Sequence, residues 1–423
     1  MHILFVSNNF PPEVNALATR TYEHAKQWVS DGHTVDVVTD VPNYPEGKVY
    51  EGYKNRYMQE RVEGINVTRV PMYVAENKGT LRRTLSYVSF MLSAFWFGRS
   101  LRRPDVIVAS SPQFFSAIGG FGLARWMGVP FVLEVRDLWP ESIVAVGAME
   151  RNGLIRLLER LEQYLYDQAD HIVVVTNAFK QAITDKGIRP SKISVLKNGA
   201  TLPFTDQPID PAETSRLREE WGIPSDAFVA SYVGTIGMAH NLDVLLDAAQ
   251  RCADPDLFFL VAGAGARRSA LENRLRQEPL DNVRLLEKQP RELVPYLLSL
   301  SHASVVHLRS TPLFKTVIPS KIFESMAMRR PIVLGVEGES AALIEEAGAG
   351  ITVPPDEPDA IWQALVRLKR DAALYGAMAE RGYAYVNRCH DRAKLARRYV
   401  DILKAVHAEP TRRTSYGPTT APN

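Results

Sequence analysis

The chain has 423 residues, 46% of them hydrophobic, and its 50 basic and 48 acidic residues give a formal net charge of +2. This length and apolar content predict two domains, each with a core of its own. The balanced charge argues against a surface tuned to nucleic acid, and two cysteines, Cys252 and Cys389, support neither a disulfide framework nor a cysteine metal cluster.

The first half of the chain alternates short apolar runs with longer segments of helical periodicity. Residues 1–7 contain no basic leader, long apolar core or cleavage site, so we expect a cytoplasmic protein. Runs rich in Val, Ile and Phe predict strands at residues 3–6, 35–39, 106–109, 131–135, 172–175 and 193–196. This alternation predicts βαβ units around a parallel sheet.

An apolar, aromatic segment at residues 84–98 has basic flanks. The flanking basic residues are Arg82, Arg83, Arg99, Arg102 and Arg103. A bilayer span needs about 20 apolar residues, so the segment is too short to cross one. On a helix, four serines (86, 89, 93 and 100) form a narrow polar stripe, which fits either a buried helix or an interfacial one. The arginines favour contact of residues 81–103 with the inner face of the cytoplasmic membrane.

The strand pattern restarts in the second half, after residues 200–226. Strands are predicted at residues 229–233, 258–262, 283–286, 304–308 and 332–335. Three prolines between the halves, Pro203, Pro208 and Pro211, break regular structure and predict a hinge. Doubly wound sheets bind ligands beyond the carboxyl ends of their strands, so function is expected in a cleft between the two domains.

These patterns predict an α/β protein with three parts. The first domain is expected over residues 1–202, completed by a C-terminal helix at about 386–407. The second domain is expected over residues 203–385. Residues 408–423 are rich in Pro, Thr and Arg without an apolar period, so we expect a disordered tail there.

The segment at residues 314–327 contains the strongest functional pattern, a loop followed by a helix and then a strand. Ser320 is expected to cap the helix, whose N-terminus and first-turn Lys321 would stabilise an anion such as a diphosphate. Lys315 could approach the same charge. Glu324, one turn after Lys321, is placed to accept hydrogen bonds from ribose hydroxyls. The alternative interpretation is two solvated lysines and a helical ion pair between Lys321 and Glu324.

This segment resembles the carboxyl-terminal signature of retaining glycosyltransferases of family 4, which have the GT-B fold of two Rossmann-like domains. The resemblance extends over nearly the whole chain and includes residues 32–35, 169–174, 198–199 and 234–237. It implies that a nucleotide-diphosphate sugar binds at Pro319, Ser320, Lys321 and Glu324. Gly234 and Gly237 would allow backbone N–H groups to approach this donor closely.

The sequence departs from the family pattern in the donor region. Thr316 stands in place of the first of two glutamates separated by seven residues, and Glu324 matches the second. Thr235 and Asn241 stand where relatives commonly have an arginine and a lysine. Diphosphate binding would then depend on other basic residues, namely Lys315, Lys321 and Arg309.

Arg136 and Asp137 follow the strand predicted at residues 131–135, where many relatives have His-Asp. The resemblance implies that both contact sugar or acceptor, although Asp137 could also serve only as a helix cap. The Asp-Leu-Trp-Pro-Glu-Ser run that begins at Asp137 resembles the branch acting in bacterial surface-polysaccharide synthesis, O-antigen included. That branch implies a UDP-linked N-acetylated amino or deoxyamino hexose and a polyprenyl-diphosphate-linked acceptor.

Retaining transfer of this kind is drawn as front-face departure and attack through an oxocarbenium-like state. A helix N-terminus and lysines would neutralise the leaving diphosphate in place of a divalent metal, so we expect metal-independent activity without a cofactor. Asp254 and Asp256 flank a proline and are interpreted as a turn, not a metal site. The alternatives are a GT-B nucleotide-sugar epimerase and a non-catalytic membrane-associated partner of a glycosyltransferase complex.

Overall fold

The computed structural model describes residues 1–44, 46–75, 80–111, 113–145, 150–202, 204 and 208–409. Most of the predicted disordered tail and part of the predicted hinge, Pro203 included, lie outside these residues. The described chain forms two α/β domains, each with helices on both faces of one sheet. The predicted pair of Rossmann-like domains is therefore confirmed.

The first domain contains an eight-stranded sheet in the order β3-β4-β2-β1-β5-β6-β7-β8. All neighbours are parallel except the β3–β4 pair. Its strands are β1 (His2–Val6), β2 (Thr34–Asp40), β3 (Met58–Val62), β4 (Ile65–Val70), β5 (Val106–Ser111), β6 (Phe131–Val135), β7 (His171–Val174) and β8 (Ile193–Val195). Six of the eight were predicted. The strands β3 and β4 were not predicted; the edge strand β3 is mostly polar and exposes every second residue, whereas β4 is mostly buried but has Asn66, Thr68 and Arg69 within its apolar run.

Both faces of this sheet are buried by helices. Alternate side chains of β1 point to opposite faces, so Leu4 joins the core under α2 and α3 whereas Phe5 packs with Trp28 of α1. The helices before the hinge are α1 (Ala16–Ser30), α2 (Thr80–Gly98), α3 (Phe114–Met127), α4 (Glu141–Ala145), α5 (Gly153–Gln168) and α6 (Asn177–Asp185).

The second domain contains a six-stranded parallel sheet in the order β11-β10-β9-β12-β13-β14. Its strands are β9 (Phe228–Val233), β10 (Leu257–Ala262), β11 (Val283–Leu286), β12 (Ala303–His307), β13 (Ile332–Gly335) and β14 (Gly350–Thr352). The remaining helices are α7 (Pro211–Glu220), α8 (Asp243–Arg251), α9 (Arg268–Gln277), α10 (Val294–Leu300), α11 (Lys321–Ala327), α12 (Glu339–Ala347), α13 (Pro358–Arg370), α14 (Ala372–Cys389) and α15 (Arg392–Ala408). Only β14, an edge strand of three residues, was not predicted.

The last helix, α15, packs on the first domain. Tyr399 lies edge-to-face against Trp28 of α1, with ring centroids 5.4 Å apart. The chain crosses back at His390, whose carbonyl oxygen would lie 2.1 Å from a Cβ placed on Gly199, so only glycine fits at that crossing. Helix α14 continues to Cys389 and packs on α11, so the crossing comes a few residues after the expected start at 386.

Helix α2 is formed by most of residues 81–103, the segment predicted to contact a membrane. Its serine stripe faces the protein: Ser86 is buried, and Ser89 Oγ accepts the backbone N–H of Tyr73 at 2.8 Å. Part of its apolar surface faces outward instead. The exposed large hydrophobic side chains among the described residues of the helix are Leu85, Leu92 and Trp96. Among the described residues, no helix is long and apolar enough to cross a bilayer.

Candidate active site

A cavity of about 400 Å³ lies between the two domains, beyond the carboxyl ends of their central strands. The first domain contributes side chains from α1 and the end of β6, and the second contributes the loops after β9, β10 and β11. The polar or charged side chains that line it are Asn15, Thr19, Arg20, His24, Tyr44, Arg136, Asn198, Thr201, Thr235, Lys288, Gln289, Arg291, Ser320, Glu324 and Arg392. Its position agrees with the expected cleft between the two domains.

Backbone forms much of the second-domain wall. Gly234 follows β9 and donates its N–H to the carbonyl oxygen of Ala262 at 2.9 Å. A Cβ on Gly263 would lie 1.8 Å from the carbonyl oxygen of Gly234, so glycine is required where the two loops meet. The sequence analysis placed Gly234 at the donor but missed Gly263, although the run Ala-Gly-Ala-Gly directly after a strand was an available signal.

Lys321 begins α11 and is tucked behind Gly234. A Cβ on Gly234 would lie 3.0 Å from Lys321 Nζ, and the ammonium sits 3.6 Å from the ring centroid of Tyr232. Nζ is buried and finds no hydrogen-bond partner among the described residues. Burial lowers the pKa of Lys321 to about 7, because the charged form loses its hydration. Lys321 Nζ is thus a buried amine behind Gly234 in the cavity wall, without a hydrogen-bond partner in the described chain and only partly protonated near pH 7.

Glu324 and Ser320 line the cavity from α11. The Glu324 carboxylate has no hydrogen bond or ion pair with any described residue, so it is available to a ligand, and the alternative ion pair with Lys321 is absent here. Burial raises the pKa of Glu324, opposed by the charges of Arg392, Lys321 and Arg291. The cap predicted at Ser320 is wrong: its backbone is already helical (φ −61°, ψ −28°), and its side chain makes no capping hydrogen bond.

Four other residues singled out from the sequence lie away from this cavity. Lys315 Nζ pairs with Glu337 Oε2 at 3.2 Å on the surface. Gly237 faces His240, and the carbonyl of Pro319 accepts the N–H of Ile322 within the first turn. Arg309 is exposed at the end of β12. The loop before α11 therefore leaves Lys315 and Arg309 at the surface, with α11 itself at the cleft.

Arg136 projects into the first-domain side of the cavity from the end of β6. Its Nη2 donates to the carbonyl oxygen of Ala16 at 2.9 Å, whereas Nε and Nη1 are buried without a partner among the described residues. Burial lowers the pKa of Arg136 to about 10, and the nearby Glu134 carboxylate opposes this shift. The guanidinium therefore stays charged at neutral pH, and its Nε and Nη1 hydrogens are available to a ligand.

Asp137 lies outside the cavity lining. Its carboxylate accepts a hydrogen bond from the side chain of Ser142, in the first turn of α4. Burial raises the pKa of this carboxyl group, and hydrogen bonds from Ser142 and the Leu138 backbone oppose the rise. These contacts hold the carboxylate within the loop between β6 and α4, and no backbone N–H of the first turn of α4 is among them.

Apart from Arg136, the charged residues of the first-domain wall were not predicted from the sequence. Arg20 Nε is 3.0 Å from Glu134 Oε1, and Arg20 also donates to Asn198 Oδ1 at 2.9 Å and to the carbonyl of Leu196 at 3.1 Å. His24 is buried beside them, with both ring nitrogens lacking a partner among the described residues. Arg20 and Glu134 are 114 positions apart, so no local pattern could connect them.

Polar contacts join the domains on two sides of the cavity. Arg291 of the second domain forms an ion pair with Glu23 of α1. At the other contact, the Glu339 carboxylate accepts the backbone N–H groups of Asn177 and Ala178, at 2.9 and 2.8 Å. Those N–H groups begin α6, so the helix dipole adds to the hydrogen bonds. These two contacts link the two domains that form the cleft.

Positive charge predominates around the cavity. Five cationic side chains line it, against a single lining carboxylate, Glu324. Arg20, Arg291 and Arg392 form ion pairs with Glu134 or Glu23, whereas Arg136 and Lys288 have no ion pair among the described residues. Such a site stabilises an anion. No group of three His, Cys, Asp or Glu residues that could hold a metal occurs in the described chain. Asp254 and Asp256 both pair with Lys369 Nζ, at 2.6 and 2.7 Å, which explains that turn without an ion.

Two family matches cover the two domains in turn. Residues 15–199 match the family described as "Glycosyl transferase 4-like domain", and residues 213–385 match "Glycosyl transferases group 1". The chain is a glycosyltransferase. This enzyme is 26% identical to the putative colanic acid biosynthesis glycosyl transferase WcaI of Escherichia coli, over 96% of the chain and 100% of WcaI. It is 25% identical to the probable glycosyltransferase WbjE of Pseudomonas aeruginosa, over 65% and 68% of the two chains.

Solved structures confirm the GT-B fold of the enzyme. Sucrose-phosphate synthase of Thermosynechococcus elongatus superposes with a TM-score of 0.76 at 17% identity, over 96% of this chain and 99% of that one. The Anabaena protein HepE in complex with UDP-glucose superposes with a TM-score of 0.71 at 16% identity, over 96% and 100%. At these identities the similarity establishes the fold alone.

Proposed function

We propose that this glycosyltransferase moves an N-acetylated amino or deoxyamino hexose from a UDP-sugar to a polyprenyl-diphosphate-linked acceptor, with retention of configuration, in surface polysaccharide biosynthesis. The observation that carries the proposal is the positive interdomain cavity with one unpaired carboxylate, Glu324. Names of relatives support the pathway: WcaI is named for colanic acid biosynthesis. The donor class is supported by HepE, which was solved with UDP and with UDP-glucose.

In the proposed donor complex, the diphosphate lies against Gly234 on the cavity side. The buried Lys321 ammonium lies on the other side of the Gly234 backbone. The diphosphate would compensate that charge, and Lys321 would in turn stabilise the charge that develops on the leaving UDP. Glu324 would accept hydrogen bonds from the ribose hydroxyls. Arg136, on the opposite wall, would donate its free N–H groups to the sugar or the acceptor.

Transfer is proposed to proceed on one face of the sugar. The bond from the anomeric carbon to the UDP oxygen breaks, and the acceptor oxygen bonds to that carbon from the same side while its proton passes to the departing phosphate. No enzyme nucleophile is required. Because cationic side chains would neutralise the leaving group, we propose that the reaction proceeds without a divalent metal.

We also propose that the enzyme works at the inner face of the cytoplasmic membrane, where a polyprenyl-linked acceptor would reside. The outward side chains Leu85, Leu92 and Trp96 of α2, with arginines at both ends of the helix, support contact through residues 81–103. The resemblance of the Asp137 region to N-acetylfucosamine transferases such as WbuB supports the choice of sugar.

Product identity tests the proposal. Purified enzyme is incubated with UDP-linked N-acetylhexosamines and a polyprenyl-diphosphate-linked sugar in EDTA, and lipid and nucleotide products are read by mass spectrometry. Glycosylated lipid is expected from the wild type, with strong loss in Lys321→Ala and near-normal transfer in Lys315→Ala, the matched surface lysine. An isomerised UDP-sugar with unchanged lipid would point to an epimerase. No binding of any UDP-sugar would point to a non-catalytic partner.

A further inference from the structure

We propose that α3 and α5 extend the exposed surface of α2 into one docking platform for an anionic phospholipid surface. The docking platform consists of Leu92 and Trp96 of α2, Trp126 of α3, and Leu157, Leu161 and Tyr164 of α5. This inference rests on the proposed function, because a lipid-linked acceptor brings the enzyme to a bilayer. It adds two helices outside the segment that the sequence pattern indicated.

Helix α5 has two apolar faces. One face is buried and includes Ile155, Leu158 and Leu165. The other carries Leu154, Leu157, Leu161 and Tyr164, which are 52%, 52%, 37% and 50% exposed. Their spacing of three, four and three residues places them in one outward stripe. Single exposed leucines are common, but a continuous stripe on a helix facing water indicates a surface that something covers.

Aromatic contacts join the three helices into one surface. Phe121 of α3 meets Tyr164 of α5 edge-to-face, with ring centroids 5.9 Å apart. Phe95 of α2 meets Trp126 of α3 in the same way at 6.3 Å. Trp126 itself is 62% exposed and Trp96 is 58% exposed. The outward apolar side chains of α2 and α5 are therefore neighbours across α3.

The charges around the platform fit an anionic lipid. Residues 80–104 contain five arginines and no acidic residue, and α3 adds Arg125 without an acid. On α5, the exposed Arg156 and Arg160 flank the leucine stripe. Two of the three acids on α5 are in ion pairs, Glu159 with Arg151 and Glu162 with Lys186, and the third, Asp167, is exposed near the end of the helix. Anionic headgroups attract such arginines.

The aromatic residues also suit the boundary between headgroups and acyl chains. The Arg99 guanidinium lies 3.5 Å from the ring centroid of Trp96 and 6.0 Å from that of Trp126. Each indole thus presents apolar surface beside a fixed positive charge. Trp, Tyr and Arg are the residue types that anchor proteins at this boundary. This combination favours a lipid surface over a second copy of the chain.

The platform reaches the edge of the protein where the cleft opens. Helix α2 follows β4 along the chain, and α5 follows β6, so both run back from the carboxyl ends of parallel strands. The cavity lies at those same strand ends. Leu154 and Leu157, near the start of α5, are therefore on the cleft side, whereas Trp96 and Trp126, near the ends of α2 and α3, lie toward the opposite end of the domain. A lipid-linked acceptor could keep its polyprenyl chain in the bilayer while its sugar enters the cavity.

Vesicle flotation tests the inference. The full chain is mixed with phosphatidylglycerol–phosphatidylethanolamine vesicles or with phosphatidylcholine vesicles, and the bound fraction gives a partition coefficient. Wild type is expected to prefer the anionic vesicles, and Leu157→Gln with Leu161→Gln is expected to lower that coefficient roughly 30-fold. Arg156→Ser with Arg160→Ser should lower binding to the anionic vesicles only. The matched control is Met238→Gln in the second domain, a residue 51% exposed and outside the platform.

Two further measurements separate the possible outcomes. Transfer to a short-chain, water-soluble diphosphate acceptor should be unchanged in Leu157→Gln with Leu161→Gln, which also shows that the variant is folded. Equal vesicle binding by this variant and wild type would overturn the platform while leaving the proposed function intact. A wild-type dimer in light scattering that this variant dissociates would also overturn it, since a second copy would then cover the leucines. If the wild type itself transferred no sugar to the water-soluble acceptor, the proposed function would be refuted instead.

Discussion

The two domains have the same architecture but build their halves of the cleft, and their outer surfaces, by different means. In the second domain the wall is largely backbone, with Gly234 and Gly263 in close approach. In the first domain the wall consists of buried charged side chains, chiefly Arg20 and Arg136. Of the exposed large hydrophobic residues in the described chain, all but Met238 belong to the first domain.

This difference separates two tasks. A wall of glycine backbone has no side chains in the way, so it suits close approach of a ligand part that is the same in every donor, such as a nucleotide diphosphate. Side chains held by long-range ion pairs suit a part that varies, such as the acceptor. The apolar outer surface on the same side as the variable wall agrees with an acceptor that is delivered on a lipid.

The largest expected effect is loss of the buried ion pair in the first-domain wall. Glu134→Ala leaves Arg20 charged and buried, so we expect the free energy of unfolding to fall by about 3–5 kcal/mol in urea denaturation. The matched control is Glu213→Ala, which breaks an exposed ion pair with Arg216 and should leave the free energy of unfolding nearly unchanged. Equal effects of the two variants would mean that the first-domain wall does not depend on its charges.

A second prediction concerns the backbone wall. Gly263→Ala places a methyl group against the carbonyl of Gly234, so we expect a loss of about 3 kcal/mol in stability and strong weakening of UDP binding by calorimetry. Gly376→Ala is the control, because a Cβ there meets nothing within 4 Å and the site is in the middle of α14. It should leave UDP binding unchanged and stabilise slightly. Normal UDP affinity in Gly263→Ala would show that the donor does not use this wall.

A third prediction follows from the Lys321 pKa of about 7. Above that pH free enzyme loses the Lys321 proton, whereas bound diphosphate favours the protonated form and raises the pKa in the complex. UDP binding should therefore take up as much as one proton at pH 8, and the Kd should rise by up to about tenfold per pH unit above 7. Calorimetry in buffers of different ionisation enthalpy measures this uptake.

The matched variants for that titration are Lys321→Met and Lys315→Ala. Proton uptake should disappear in Lys321→Met and persist in Lys315→Ala, whose ammonium is exposed and paired with Glu337. Uptake that survives in Lys321→Met would place the titrating group elsewhere in the cavity.

Much of the fold could be predicted from the sequence, because buried parallel strands are continuous runs of Val and Ile and their spacing sets the βαβ order. The exceptions are edge strands: β3 is mostly polar, and β14 has only three residues. The helix that completes the first domain was expected from the C-terminal region, but its crossing point depends on the contact of Gly199 with His390, which no local pattern reports.

The candidate site could be predicted only where its residues are close together in the sequence. Residues of one loop and helix, such as Glu324 and Ser320, were placed at the cavity, whereas the cap at Ser320 failed because its backbone already belongs to the helix. Arg20, His24 and Arg392 escaped notice because burial and partners more than a hundred positions away define their roles. Roles in binding and catalysis for Lys321, Glu324, Arg136 and Asp137 stay predictions.

The most direct test of the central claim is the initial rate of sugar transfer to the lipid-linked acceptor in EDTA, compared between Glu324→Gln and Glu337→Gln. Both substitutions remove one carboxylate charge, the first inside the cavity and the second on the surface beside Lys315. We predict a fall of roughly 10²-fold or more for Glu324→Gln and a rate within about twofold of wild type for Glu337→Gln. Equal rates in the two variants, or transfer that stops in EDTA, would contradict a metal-independent donor site in this cleft.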